Sequence, residues 1–328
     1  MSLGNRELTY GLAINEALKQ MLRLDQSLLV IGQGVKSPWY VGSTCADLIS
    51  EFGEERVIDT PVSENAMTGA AVGAAISGSP AIVVHPRVDF MMYAIDPIVN
   101  EAANWHYMSG GQSNVPVVFW GIVNRGGEQA AQHSQALQAM FAHIPGLKLI
   151  MPSCAKDAKG LMISALKDPN PVVFIDDRWL YGEKSLVPEE MYEIPIGKAE
   201  VKREGKDLTI VSSSYLAAQS LSAANELSSE GFDVEVVDLR TIKPIDEDTI
   251  LESVKKTGRL LVVDGGWQSF GVSAEISAIV SEKAFSLLKG PISRLALKDI
   301  PAPAADTLES AFYINKLDIK ERARKILR

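Results

Sequence analysis

Short continuous apolar runs alternate along this chain with stretches in which apolar residues return every three or four positions. Leu8 to Arg23 sets Ile14, Leu18 and Leu22 on one face and predicts an amphipathic helix. Strand-like runs follow at Leu28 to Gln33, Arg56 to Thr60, Ala81 to His85, Pro116 to Ile122, Leu147 to Met151 and Val172 to Ile175. Helical patterns separate most of them, at Thr44 to Phe52, Ser63 to Ser77, Asp96 to Met108, Gln135 to Ala142 and Ala155 to Lys167. Strands that are apolar throughout, with helices between them, predict a parallel sheet covered on both faces.

The alternation breaks over Leu186 to Lys206, a Pro-, Glu- and Lys-rich linker with short extended pieces. It resumes with strand Leu208 to Ser212, helix Ala217 to Glu230, strand Val234 to Leu239 and helix Asp246 to Thr257. Strand Leu260 to Asp264, helix Ser273 to Phe285 and strand Ile292 to Ala296 complete it. The predicted fold class is α/β, with two doubly wound domains, residues 1–188 and a smaller 189–328. No close repeat or low-complexity segment interrupts them. The opening Met1-Ser2-Leu3 reads as a remnant foreign to this pattern.

Composition narrows the function classes. The 328 residues include 46% apolar side chains, ample for large cores and buried interfaces. A net charge of −9 disfavours nucleic acid or an anionic membrane as the main partner. Cys45 and Cys154 are distant and form no metal-binding pair, which suits a reducing, cytoplasmic setting. No signal-peptide pattern or membrane-length apolar run is present. The phosphate loop, the dinucleotide glycine fingerprint, the nucleophile elbow and the zinc His pair are all missing.

A sparse polar set remains. Glu64 opens a helix rich in small residues, Gly69, Ala70, Ala71, Gly73, Ala74 and Ala75, which permit close approach of another backbone. A carboxylate at the edge of such a contact is costly without a role, although its place near a helix start also suits the macrodipole. His133 lies in a loop after a predicted strand, downstream of the Gly126-Gly127 turn. Ligands gather at such strand ends in open α/β sheets, yet composition alone favours a loop histidine that caps a helix or satisfies a loop carbonyl. Phe90 by itself reads as core.

The combination resembles the beta subunit of the thiamine-diphosphate-dependent decarboxylase component of 2-oxo acid dehydrogenase complexes, a transketolase-like group. The resemblance runs from Leu8 to the C-terminus. It rests on Arg56-Val57-Ile58-Asp59-Thr60-Pro61-Val62-Ser63-Glu64, Tyr107-Met108-Ser109-Gly110-Gly111-Gln112 and Ala131-Gln132-His133-Ser134-Gln135. Ile144-Pro145-Gly146-Leu147-Lys148 and, in the second domain, Val237-Asp238-Leu239-Arg240-Thr241-Ile242-Lys243-Pro244-Ile245-Asp246 add to it.

The resemblance implies a pyrimidine-binding first domain and a transketolase C-terminal-type second domain. It makes Glu64 the partner of an aminopyrimidine nitrogen of thiamine diphosphate, with Phe90 and Val62 beside that ring. His133 is the histidine near the reacting centre. A potassium site falls on Val117, Ala165, Leu166, Asp168 and Asn170. The Gly-Asp-Gly to Asn-Asn motif for diphosphate and magnesium is missing, and Asp264-Gly265-Gly266 is no substitute. An alpha subunit is therefore expected to hold the magnesium, in an assembly of two alpha and two beta chains. A beta–beta dimer and docking to a lipoyl acyltransferase core belong to the same expectation. The reaction implied is decarboxylation of a small 2-oxo acid and acyl transfer to lipoamide. Gln33, His85, Arg87, Trp120 and Arg125 depart from the family pattern. His85, Arg87 and Arg125 are the candidates for a substrate pocket. Two alternatives stand beside this reading: the C-terminal half of a split transketolase-like enzyme, and a non-catalytic regulatory subunit of the same fold.

Overall fold

A computed structural model describes residues 5–39 and 41–328. Met1-Ser2-Leu3 lies outside them. The chain divides into two compact units, one built from the chain up to Asn124 with Met140–Ile196, the other from Arg125–Ala139 with Gly197–Arg328.

The first unit contains β1 (Asn5–Thr9), α1 (Tyr10–Leu24), β2 (Leu29–Gly32), α2 (Leu48–Phe52), β3 (Val57–Asp59), α3 (Glu64–Ile76), β4 (Ala81–His85), α4 (Ala103–Met108) and β5 (Val117–Val123). The chain re-enters it through α5 (Gln138–His143), followed by β6 (Lys148–Ile150), α6 (Ala155–Lys167), β7 (Val172–Asp177) and β8 (Lys184–Pro188). Its strands run β6-β7-β5-β4-β2-β3, all parallel. Every position of β4, β5 and β7 is buried, which is why their sequences are apolar without alternation. Because β3 lies on one side of β2 and β4 on the other, the chain reverses direction across the sheet there. The crevice at such a switch point is where open α/β sheets bind ligands.

The predicted first helix begins two residues late. Leu8 and Thr9 belong to β1, which pairs antiparallel with β8, and Thr9 is the N-cap whose hydroxyl accepts from the Leu12 N–H. Thr44 to Phe52 is helical only from Leu48, since Asp47 sits at φ +63. Asp96–Ala102 is a π-helix that passes into α4. One device fastens α6: fully buried Lys159 gives its Nζ to Glu16 of α1 at 2.6 Å and to the carbonyls of Pro188, Glu189 and Glu190 at 2.7, 3.1 and 2.8 Å. A buried ammonium is tolerable only with such full pairing.

The second unit contains β9 (Glu200–Arg203), β10 (Leu208–Ser212), α7 (Ser214–Ser228), β11 (Val234–Asp238), β12 (Thr241–Lys243), α8 (Glu247–Thr257), β13 (Leu260–Trp267), α9 (Val272–Ala284), β14 (Ser293–Leu297), α10 (Asp306–Phe312) and α11 (Lys316–Leu327). Its five-stranded sheet has the order β14-β13-β10-β11-β9, with only β9 antiparallel to its neighbour. Asp246 caps α8 by accepting from the Thr249 N–H at 3.3 Å, and Gly258, at φ +71, ends that helix. Asn315 and Asp318 form a capping box that starts α11.

Candidate functional site

Thr60, just past β3, donates its N–H to the Gly32 carbonyl at 3.1 Å and pins the following loop to the end of β2. Pro61-Val62-Ser63 then turn the chain into α3, with Ser63 as N-cap and Glu64 as the first helical residue. The Ser63 hydroxyl makes no capping bond, so an anion is favoured at this helix start. Glu64 is half-buried, and its carboxylate makes no hydrogen bond or ion pair among the described residues.

The neighbouring Asn65 amide donates to the Tyr93 carbonyl at 3.4 Å and so ties α3 to the segment after β4. Val88–Ala94 is a 3₁₀ helix. Residues three apart eclipse in that geometry, which brings Phe90 and Tyr93 together. Their rings stack with centroids 6.4 Å apart at 26°. Phe90 is half-buried, while Val62 and Tyr93 are 69% and 67% exposed. The first unit thus ties the helix start that carries Glu64 to the segment that carries the aromatic pair, with Val62 exposed just before Glu64. Asn65 and Tyr93 were missed from sequence; the three-residue spacing of two aromatics was the available signal.

His85 lies in the interior of the first unit. As the last residue of a wholly buried strand it is 0% exposed, and its Nε2 lies 3.3 Å from the Thr68 hydroxyl, one turn along α3 from Glu64. Burial lowers its pKa to about 3, so the ring is neutral near pH 7, and its buried Nδ1 has no hydrogen-bond partner. Arg87 is half-buried and donates to the Pro86 carbonyl at 2.9 Å.

His133 and Arg125 fall in the second unit. His133 is half-buried in a turn, its N–H donating to the Ala130 carbonyl at 3.4 Å. Arg125 is 5% exposed, its guanidinium packed against Gly265: a Cβ there would come within 2.6 Å of Nη2. That close approach places the residue inside the unit and off its surface. Asp264 has both oxygens engaged, Oδ1 by the Gly266 N–H at 2.9 Å and the Gln138 amide at 3.2 Å, Oδ2 by the Ser273 N–H at 2.9 Å. It staples the start of α9. No group of three or more His, Cys, Asp or Glu able to hold a metal occurs among the described residues.

The potassium candidates lie in the first unit, Val117 at the start of β5, Ala165 and Leu166 in the last turn of α6, and Asp168 and Asn170 just after it. Asp168 caps α6, pairs with Lys148, and accepts from the Asn170 N–H at 3.0 Å. The Asn170 Oδ1 is buried without a hydrogen-bond partner.

Two domain families match, transketolase pyrimidine-binding over residues 6–184 and transketolase C-terminal over 197–319. The fold is thus of the transketolase type. A split-gene transketolase in an inactive beta4 tetramer superposes with a TM-score of 0.79 at 20% identity, covering 98% of both chains. The transketolase of Campylobacter jejuni gives 0.70 at 15% identity, with 99% of this chain matching 48% of that one. These likenesses show the fold. The beta subunit of the pyruvate dehydrogenase E1 component of Rickettsia felis is 43% identical over 98% of both chains. That of Arabidopsis thaliana mitochondria is 43% identical over 93% of this chain and 85% of its own. The beta subunit of an acetoin:2,6-dichlorophenolindophenol oxidoreductase from Cupriavidus necator is 42% identical over 98% of both. The chain belongs to the family of E1-component beta subunits that these relatives represent.

Proposed function

We propose that this chain is the beta subunit of a thiamine-diphosphate-dependent 2-oxo acid dehydrogenase and works with a separate alpha subunit in a two-alpha, two-beta assembly. The observation that carries the reading is the unpartnered Glu64 carboxylate at the start of a helix that Asn65 ties to the segment bearing the Phe90–Tyr93 pair. A heteroaromatic ring bearing a protonated nitrogen fits that set: a carboxylate oxygen to accept from the nitrogen, a phenyl face to pack on, and Val62 to exclude water. Thiamine diphosphate, when bound, supplies a nucleophilic thiazolium carbon and an electron sink for decarboxylation.

This chain's own residues do the rest. Glu64 shares a proton with the aminopyrimidine nitrogen through its carboxylate oxygen. His133 orients the substrate and moves a proton as the acyl group passes to lipoamide. Magnesium belongs to the alpha subunit, which agrees with Asp264 being fully engaged inside the second unit. Potassium would be held near the end of α6, where the Asn170 Oδ1 is a buried acceptor awaiting a donor or cation. Several of Val117, Ala165, Leu166 and Asp168 would act there through backbone carbonyls. The second domain, residues 189–328 as read from sequence, would join the beta chains and dock the lipoyl acyltransferase. Cys45 and Cys154 form no disulfide, in keeping with a cytoplasmic enzyme. No described helix is long and apolar enough to cross a membrane.

The test is co-purification with the alpha chain and turnover assays with pyruvate, longer 2-oxo acids and acetoin, in thiamine diphosphate and magnesium. Release of carbon dioxide from a 2-oxo acid supports the reading. No turnover of any 2-oxo acid by the assembled complex sinks it, and ketol transfer between sugar phosphates would favour the split transketolase.

A further inference from the structure

The loop that carries His133 has an unusual backbone. Gly126, Gly127, Glu128 and Ala130 take φ values of +75, +68, +59 and +61. Two of these four residues are not glycine, so the loop holds a conformation that L-residues resist and that persists only where the surroundings enforce it. The enforcing contacts come from α10 and the residue after it, a stretch with no chemical motif. Glu309 is 4% exposed, and its Oε2 accepts the N–H of left-handed Glu128 at 3.0 Å. Its Oε1 is buried with no hydrogen-bond partner. Tyr313, 6% exposed, lies near Ser134 and Gly126 of the loop. Burial raises the phenol's pKa, and Glu309 adds to the rise, while Ser134, Arg125 and Gly126 oppose it. Ser134 directly follows His133, while Glu128 and Gly126 lie five and seven residues before it, so the contacts of Glu309 and Tyr313 fall on both sides of the histidine along the loop.

We propose that Glu309 and Tyr313 are positioning residues that hold the 126–134 loop, and through it His133, in its working conformation. A carboxylate is rarely buried without a charge partner in hand, and here it is used to accept one backbone N–H in a strained turn. The catalytic part of this proposal rests on the function assigned above; the structural part does not.

The two parts are tested separately on the full-length chain with its alpha partner. Hydrogen exchange of segment 126–135 reads the clamp without any reaction. Glu309→Ala is expected to speed exchange there at least tenfold while the rest of the second unit is unchanged. Glu309→Gln retains an oxygen for the Glu128 N–H, and its NH2 can take the place of the unpartnered oxygen, so exchange should return to within about threefold of the parent. Tyr313→Phe removes one hydroxyl and should speed exchange of the same segment, which keeps the test open if Glu309→Ala does not fold. In turnover, kcat should fall at least tenfold in Glu309→Ala at an unchanged melting temperature, with KM within twofold, and recover in Glu309→Gln. Unchanged exchange over 126–135 in both Glu309→Ala and Tyr313→Phe overturns the clamp, as does a Glu309→Gln variant no better than Glu309→Ala. If exchange responds but no assembled complex, parent included, decarboxylates a 2-oxo acid, the clamp stands and the functional reading fails.

Discussion

Glu64 shows how little of a carboxylate's environment needs to be special when the backbone does the placing. Its side chain has no partner of its own, its helix start is uncapped by Ser63, and its neighbour Asn65 is tied to Tyr93. Glu64→Gln keeps the shape and loses the ability to hold a proton. Turnover is therefore expected to fall by roughly 100- to 10,000-fold, with co-purification of the alpha chain unchanged; near-normal turnover would remove Glu64 from the chemistry. At this scale the sequence singled out residues where motif context was dense. Glu64, Phe90 and His133 stand out in their segments, and the structure places the first two on adjoining segments of one unit. His85 closes the predicted strand Ala81 to His85, and the ladder of β4 carries its side chain into the interior, which the one-dimensional pattern does not show. Glu309 and Tyr313 were invisible. Nothing in Asp306-Thr307-Leu308-Glu309-Ser310-Ala311-Phe312 marks Glu309 as a buried glutamate rather than a solvated one, and only tertiary contact reveals that its carboxylate turns inward.

Elements explain a second polar cluster, where the carboxyl end of β7 meets the start of α1. Asp176 is 0% exposed and neither oxygen makes a hydrogen bond of good geometry. Burial raises its pKa to about 8, only partly offset by the nearby Tyr181 hydroxyl and Trp120 indole, so near pH 7 it is mostly a neutral acid. Tyr10, first residue of α1, stacks on Tyr181 with centroids 6.1 Å apart and completes the packing. A carboxyl whose pKa is higher folded than unfolded gives its full stabilisation below the unfolded value near 4. It loses that contribution as pH rises toward the folded value near 8, because the unfolded chain releases the proton first. Asp176→Asn should therefore gain stability relative to the parent between those limits, by up to about 1.4 kcal/mol per pH unit. Denaturant midpoints at pH 5, 6, 7 and 8 measure this; parallel curves for the two chains would refute it. The elements themselves were legible wherever burial is two-sided: β4, β10 and α6 begin and end where continuous apolar runs or three-four spacing do. β1 was hidden in the polar Asn5-Arg6-Glu7-Leu8-Thr9, whose strand state is imposed by β8. α10 and α11 were overlooked because their helical state rests on caps and one-sided packing more than on a strong apolar stripe.

For the whole molecule, α3 poses the question of what the chain lacks. Thr68, Ala71, Val72 and Ala75 face inward, whereas Gly69, Ala70 and Gly73 are exposed. A Cβ added at Gly69 or Gly73 meets nothing within 4 Å, so neither glycine is required by this chain's own packing. Glycine inside a helix costs about 1 kcal/mol relative to alanine, and a fold that needs no space there has no internal reason to bear that cost. The proposed alpha subunit provides one, because a second backbone can approach closely only where side chains are missing. Gly73→Leu separates the two explanations. The isolated chain should melt at the same temperature as the parent or slightly higher, since the leucine enters open space and improves helix propensity. Association with the alpha chain should weaken at least tenfold, and turnover should recover when the alpha chain is supplied in large excess. A variant that destabilises the isolated chain would show that the glycine serves an internal contact after all. One that is stable and assembles normally would move the alpha interface off this helix and leave Glu64 at the margin of a site completed from another direction.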